Sequence, residues 1–370
     1  MSISLERKER NVGIELLRIV SMFAVAMLHV LGQGGVLSKA VPGSVNYQVA
    51  WILEILSFFG VTTYGLISGY VGFDGNYRIT NIIYTWLQVF FYTFIGTVVT
   101  CIVLKGLPNI EMLKKTFFPI LSETYWYFSA YAVVFLLMPF INYGVGKFAR
   151  TYLNIILITI IAAFCIAPLI IKTDVFGLRE GLSCVWLLAA YYIGAYLKRF
   201  GMFSKMHTGK LLLLIGLALV LTWTSKFILE LVLGYDAGTD GRSNVLIAYN
   251  SPTVLLISVC LLMIFSKITA KGKIRKWILR ISPLCFGVYL LNCNPFVWDY
   301  LMPGRFDAYA FFPVWKMVVC SLLAAMVIFL SGIAVDGIRF LIFEIGHLRE
   351  KLGILNGCAL LREISGKKDK

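Results

Sequence analysis

Ten stretches of this chain are apolar over roughly the length of a bilayer crossing, and that pattern excludes most folds open to 370 residues. They run over 12–31, 47–71, 82–104, 125–141, 152–171, 182–197, 211–233, 253–265, 284–301 and 312–343. A helix crossing hydrocarbon needs roughly 17–25 apolar residues, because inside the bilayer each backbone amide must be paired within its own segment. Two runs fit less well: 253–265 is short, and 284–301 is interrupted by Asn292, Asn294 and Pro295. With 14% charged residues against the ~25% of an ordinary soluble domain, the chain reads as an all-α integral membrane protein, a bundle of about ten transmembrane helices.

A net charge of +15 would ordinarily suggest nucleic acid, but the placement of the cations gives another cause. An even number of spans puts both termini on one side. On that side fall 23 of the 34 Lys and Arg residues, and eight fall on the other. Cationic loops stay in the cytoplasm, so both termini are expected there, with the bilayer and not nucleic acid as the partner. No small-residue cleavage site follows the first run, which is therefore expected to be a true span. Residues 1–350 form the membrane domain and 351–370 a basic cytoplasmic tail. The eight cysteines lie almost entirely within apolar runs and show no metal-ligand spacing, so buried thiols are expected, with no disulfide framework and no metal.

The first run carries Glu15, Arg18 and His29. Ionisable groups inside a span are costly and mark function by default. Glu15 and Arg18 are three residues apart and share a helix face, where they can pair near the cytoplasmic end. Arg18 and His29 are eleven apart, which brings them within about 20° of each other around the helix and separates them by roughly 16 Å along it. One wall of one cavity thus carries both. Arg18 admits two readings, a cation snorkelling to the interface or a fork for phosphate or carboxylate. His29 likewise is either a hydrogen-bonded structural histidine or a general base, since imidazole, with an ordinary pKa near ~6.5, accepts a proton near neutral pH.

Other polar positions carry similar alternatives. Glu54 sits mid-run, placed to orient His29 or a substrate hydroxyl, or to pair with a neighbouring helix. Ser68-Gly69 precedes Gly72 and Asp74 and reads as a helix-breaking turn or as backbone close to substrate. Tyr125 and Trp126 fall at the outer interface, as a belt or a sugar-stacking platform. Arg78 is a topology charge or a second phosphate ligand, and Lys226 and Lys316 read as interfacial.

The Glu15-x-x-Arg18-x10-His29 pattern resembles the acidic-x-x-Arg…His signature on the first span of the membrane acyltransferase-3 family, whose members O-acylate bacterial surface polysaccharides, lipids and related molecules. Thr62-Thr-Tyr-Gly-Leu-Ile-Ser-Gly-Tyr70 is similar to the family's Ser-Gly-aromatic segment, and Tyr125-Trp126-Tyr127 with Pro139 and Asn142 to its fourth span. Tyr249-Asn250-Ser251-Pro252, Phe286-Gly-Val-Tyr-Leu290 and Val335-Asp-Gly-Ile-Arg339 also look like family segments, in order, over most of the chain. One departure is that Asn292 stands where family members often carry a histidine. Asn292 can position a group but exchanges no proton near neutral pH, which leaves His29 as the single candidate base.

The resemblance implies an O-acyltransferase in a bacterial plasma membrane. It would move an acyl group, acetyl by family pattern, from cytoplasmic acyl-CoA to a hydroxyl of a surface polysaccharide or glycolipid, directly or through a separate extracytoplasmic transferase. His29, Arg18 and Glu15 are then the catalytic candidates. Glu54, Ser68, Gly69, Arg78, Tyr125, Trp126, Asn250, Tyr289 and Asn292 are the substrate-binding ones. A glycan transporter or flippase is the alternative, because a cavity with Arg, His and Glu serves a substrate pathway equally well.

Overall fold

The computed structural model describes residues 10–75, 77–171, 173–235 and 243–355; the tail beyond 355 and residues 236–242 of the 234–250 loop lie outside the described residues. Every apolar run forms helix, and the described residues contain no strand.

The chain opens with α1 (Val12–Leu31), started by Asn11, whose side chain accepts from the Ile14 amide at 3.1 Å. A short α2 (Val36–Lys39) leads to α3 (Val45–Ser57) and α4 (Gly60–Gly72), so the run at 47–71 is two helices broken at Phe58-Phe59. Next come α5 (Ile79–Val103), α6 (Ile110–Phe117) and α7 (Trp126–Lys147). The following run is α8 (Arg150–Ile160), a π-helical segment Ile161–Ile166, and α9 (Ala167–Ile170). After α10 (Cys184–Phe200) come α11 (Thr208–Leu233), α12 (Pro252–Ser266) and α13 (Gly272–Ile281). The chain closes with α14 (Cys285–Asn292), α15 (Val314–Ile345) and α16 (Leu348–Leu355).

Among the described residues seven helical stretches are long and apolar enough to cross a membrane: Val12–Lys39, Val45–Gly72, Ile79–Val103, Trp126–Lys147, Arg150–Ile170, Thr208–Leu233 and Val314–Ile345. The other three runs give shorter helices of 17, 15 and 8 residues, namely α10, α12 and α14. These short helices, with Val12–Lys39 and Val45–Gly72, are well enclosed by neighbours, and the other five long stretches carry the outward-facing apolar surface. The chain is a multi-pass membrane protein.

Close packing rests on small residues, as expected where lipid supplies no hydrophobic drive between helices. Between α4 and α10, a Cβ on Gly69 would stand 1.9 Å from the Tyr191 carbonyl oxygen, and one on Gly194 would stand 2.1 Å from that of Leu66. The Ser68-Gly69 step is therefore no helix-breaking turn: α4 runs on to Gly72, and Gly69 brings two backbones together. The Ser68 hydroxyl is spent on its own helix, donating to the Tyr64 carbonyl at 2.9 Å.

Three further expectations change. Lys226 is 2% exposed, paired with Glu230 and held over the Trp51 ring at 3.9 Å, so it is internal and not interfacial. Arg339, counted among the cytoplasmic loop charges, lies inside α15 and is paired with Asp336 at 2.5 Å. Tyr125 is 1% exposed and faces the bundle interior, which removes it from any lipid-facing belt.

Candidate functional site

Helix α1 packs against α3, α4, α12, α14 and α15, so its face carrying Arg18 and His29 looks into the middle of the bundle. The two ends of that face are built differently.

At the lower end Glu15 is enclosed by two cations and a hydroxyl. Its carboxylate meets Arg10 Nη2 at 2.6 Å and Arg18 Nη1 at 3.3 Å, and accepts from the Ser282 hydroxyl. Arg10 also donates to Ser282 Oγ at 3.0 Å and to the Leu279 carbonyl at 3.4 Å, tying the start of α1 to the end of α13. Two guanidinium groups against one carboxylate leave one net positive charge. Arg18 keeps 28% of its side chain accessible, so its remaining N–H groups have room for an anionic partner. The neighbouring α13 adds Lys273, Lys276 and Arg280.

Tyrosines lie between this cluster and the upper end. The Tyr64 hydroxyl donates to the Arg18 carbonyl at 2.8 Å, and Tyr127 and Tyr131 sit within electrostatic reach of the guanidinium. The Tyr127 amide donates to the Tyr289 hydroxyl at 3.2 Å, and Tyr289 packs against Tyr125 at a centroid distance of 5.8 Å. Tyr64, Tyr127 and Tyr131 are all half-buried, so each keeps some accessible surface.

At the upper end Asn292 Nδ2 lies 2.6 Å from His29 Nδ1, and the Trp298 ring meets the imidazole edge-on at 5.0 Å. Helix α14 stops at Asn292, where Asn294 and Pro295 prevent its continuation, and this break turns the 292–298 segment toward α1. With the Asn292 oxygen toward the ring, the Nδ1 proton is donated to it and the Nε2 lone pair is left free. With the nitrogen there, the ring proton sits on Nε2 and no base is available. The structure has the nitrogen there, but the Asn292 carboxamide makes no other hydrogen bond among the described residues, so a half-turn of its plane gives the first arrangement, the one in which His29 is a base.

Glu54 is 8% exposed, and its Oε2 makes no hydrogen bond among the described residues. The Tyr249 phenol lies within electrostatic reach of both Glu54 and Cys293. A further cavity of about 230 Å³ opens between α5, α6 and the segment after α14, lined by Thr93, Thr97, Thr100, Lys115, Asp299 and Asn294. Asn294 joins the two spaces: it donates to the Tyr92 carbonyl at 3.0 Å and to the Tyr125 hydroxyl at 3.2 Å.

The sequence candidates thus divide. Glu15 with Arg18, and His29 with Asn292, come together as pairs, with Tyr125 and Tyr289 between them. Asn250 donates to the Phe164 carbonyl at 2.7 Å and props the π-helical segment. Trp126 packs inside the aromatic core, and Arg78 is exposed at the start of α5. Arg10, Ser282, Tyr64, Tyr127 and Cys293 are additional site residues that the sequence reading left out. For Cys293 the signal was adjacency to Asn292 in an interrupted run. Among the described residues no cluster of His, Cys, Asp and Glu has the geometry of a metal site.

A family model describing an acyltransferase domain, that of acyltransferase family 3, matches residues 11–334. A comparison with curated proteins and one with solved structures each found no match.

Proposed function

The chain belongs to the acyltransferase-3 family and is an acyltransferase; on that premise we propose that it O-acylates a hydroxyl of a cell-surface polysaccharide or glycolipid, with cytoplasmic acyl-CoA as donor and His29 as general base. The observation that carries this is the single wall of α1, with a net-positive Arg10–Glu15–Arg18 cluster at one end and an Asn292-held imidazole at the other. The cation bias supports a cytoplasmic position for the first end, and the family resemblance supports a bacterial plasma membrane. Phosphates of the donor suit Arg18 and the basic α13, and the flexible arm carrying the thioester suits a passage lined by tyrosines. The Thr-rich cavity beside Asn294 offers hydroxyl and charged partners of the kind that hold a sugar, so it is the acceptor's side. The acyl group is acetyl on the family resemblance, delivered to the acceptor directly or through a separate extracytoplasmic transferase.

Cells lacking this chain should retain their surface polysaccharide but lose its base-labile acetate, both measured on the same extract. Loss of the polysaccharide itself would favour a transporter instead. On the donor side, Arg18→Lys keeps the charge but removes the planar fork, and should weaken CoA binding to purified protein by about 1–3 kcal/mol. Equal CoA affinity in the two proteins would take Arg18 out of donor binding.

A further inference from the structure

Both ring nitrogens of His29 are engaged by consecutive residues of the break after α14. Asn292 Nδ2 lies 2.6 Å from Nδ1, a placement that a half-turn of the carboxamide converts to oxygen against Nδ1–H, and Cys293 Sγ lies 4.0 Å from Nε2. A thiol, an imidazole and a carboxamide in that order have the roles of nucleophile, base and orienting group in a Cys-His-Asn arrangement, recognised by geometry and not by chain order. The turn is rigidly held, since the Cys293 amide donates to the Tyr289 carbonyl at 2.9 Å and the neighbouring Asn294 is fixed from two sides. Four angstroms is the outer limit of a thiol hydrogen bond, and nucleophile–base contacts are often this loose before substrate binds.

Cys293 is also positioned with respect to the donor. It is half-buried, and it lies within electrostatic reach of Tyr125 and Tyr289, the latter linked through Tyr127 to the Arg18 end. A thioester entering from the Arg18 end past these tyrosines would meet the Cys293 sulfur beside His29.

We propose that Cys293 is a catalytic nucleophile that carries the acyl group as a protein thioester between donor and acceptor, with His29 moving the protons and Asn292 orienting the imidazole. The proposal rests on the acyltransferase reading above. In the first half, Cys293 Sγ bonds to the acyl carbonyl carbon of acyl-CoA while His29 Nε2 takes the thiol proton. The carbon–sulfur bond to CoA breaks, and the leaving thiolate receives that proton, so free CoA departs. In the second half, an acceptor hydroxyl oxygen bonds to the same carbon and gives its proton through His29 to the departing Cys293 sulfur. The products are an ester and the original thiol. No electrons change hands, and no further reactant is needed. Dividing the transfer this way lets CoA leave on one side before the acceptor arrives on the other.

The test uses purified full-length protein and acetyl-CoA labelled in the acetyl group, without acceptor. Wild-type protein should retain up to one acetyl per chain, released by neutral hydroxylamine and mapped to Cys293 by peptide mass. Cys293→Ala should bind CoA, retain no label and lose acetyl transfer. Cys293→Ser should slow the first step and trap the acetyl as an ester that neutral hydroxylamine releases far more slowly. Wild-type transfer by Cys293→Ala overturns the proposal, as does label on another residue. If Cys293→Ala transfers normally while His29→Gln does not, direct transfer with His29 as base stands and only the thioester falls. Normal transfer by both variants would remove the His29 reading as well.

Discussion

His29→Gln should insert, fold and bind CoA as the wild-type protein does, yet transfer acyl groups about 10²–10⁴-fold more slowly, the usual contribution of a positioned general base. The substitution keeps a hydrogen-bonding group of similar size opposite Asn292 but cannot take a proton. A structural histidine predicts the opposite, an active His29→Gln with a small loss of stability. The measurement is acetyl transfer to a soluble hydroxyl acceptor, with CoA affinity as the control for folding. Activity within twofold of wild type would end the assignment of His29 as base.

Asp336→Ala should be among the most destabilising single changes in the chain, by about 3–5 kcal/mol, because it strands a buried cation. The Asp336 carboxylate accepts from Arg339 Nε, from Gln88 Nε2 and from the Tyr92 hydroxyl, each at 3.0 Å, so one side chain satisfies partners on α5 and α15. Tyr92 in turn offers its carbonyl to Asn294, which carries the disturbance into the wall of the threonine-lined cavity. Thermal unfolding in detergent should show a markedly lower midpoint for Asp336→Ala. The double variant Asp336→Leu/Arg339→Leu, which leaves no unpaired charge, should recover most of the loss. A single variant as stable as wild type would mean that the Arg339 guanidinium reaches water when its partner is gone.

The ten apolar runs were legible because a bilayer imposes length and hydropathy on each segment separately. What the runs could not reveal was where a segment breaks. The Phe58-Phe59 break carries no proline or glycine between its two residues, and α4 restarts at Gly60, where a Cβ would stand 2.9 Å from the Ser21 carbonyl oxygen. That is a tertiary cause, invisible in local sequence. The Glu15–Arg18 pair followed from helical periodicity alone, and the structure brings the two together. Arg10 and Ser282 did not, because their meeting depends on how α13 returns to the start of α1 across more than 260 residues. Arg339 was misplaced for a related reason: a guanidinium near the end of an apolar run looks like a loop charge until its buried carboxylate, three residues earlier, is seen to face it. The Asn292-Cys293-Asn294 break was visible as an interruption, but which of its side chains turns toward His29 is decided by the packing of α14 on α1 and α15.

The Lys226–Glu230 pair bears on how the chain enters the membrane. A lone lysine in a span opposes insertion, and α11 otherwise turns mostly apolar surface outward. Within α11 the acid one turn away offsets part of that cost, and the rest is met by α3, whose Tyr47 hydroxyl donates to Glu230 at 2.5 Å while Trp51 covers the ammonium. Helix α3 is synthesised some 180 residues before this lysine. Biogenesis therefore has an order built into it: the early helices must wait in the bilayer with an aromatic face uncovered, and α11 finds its stable depth only by docking there.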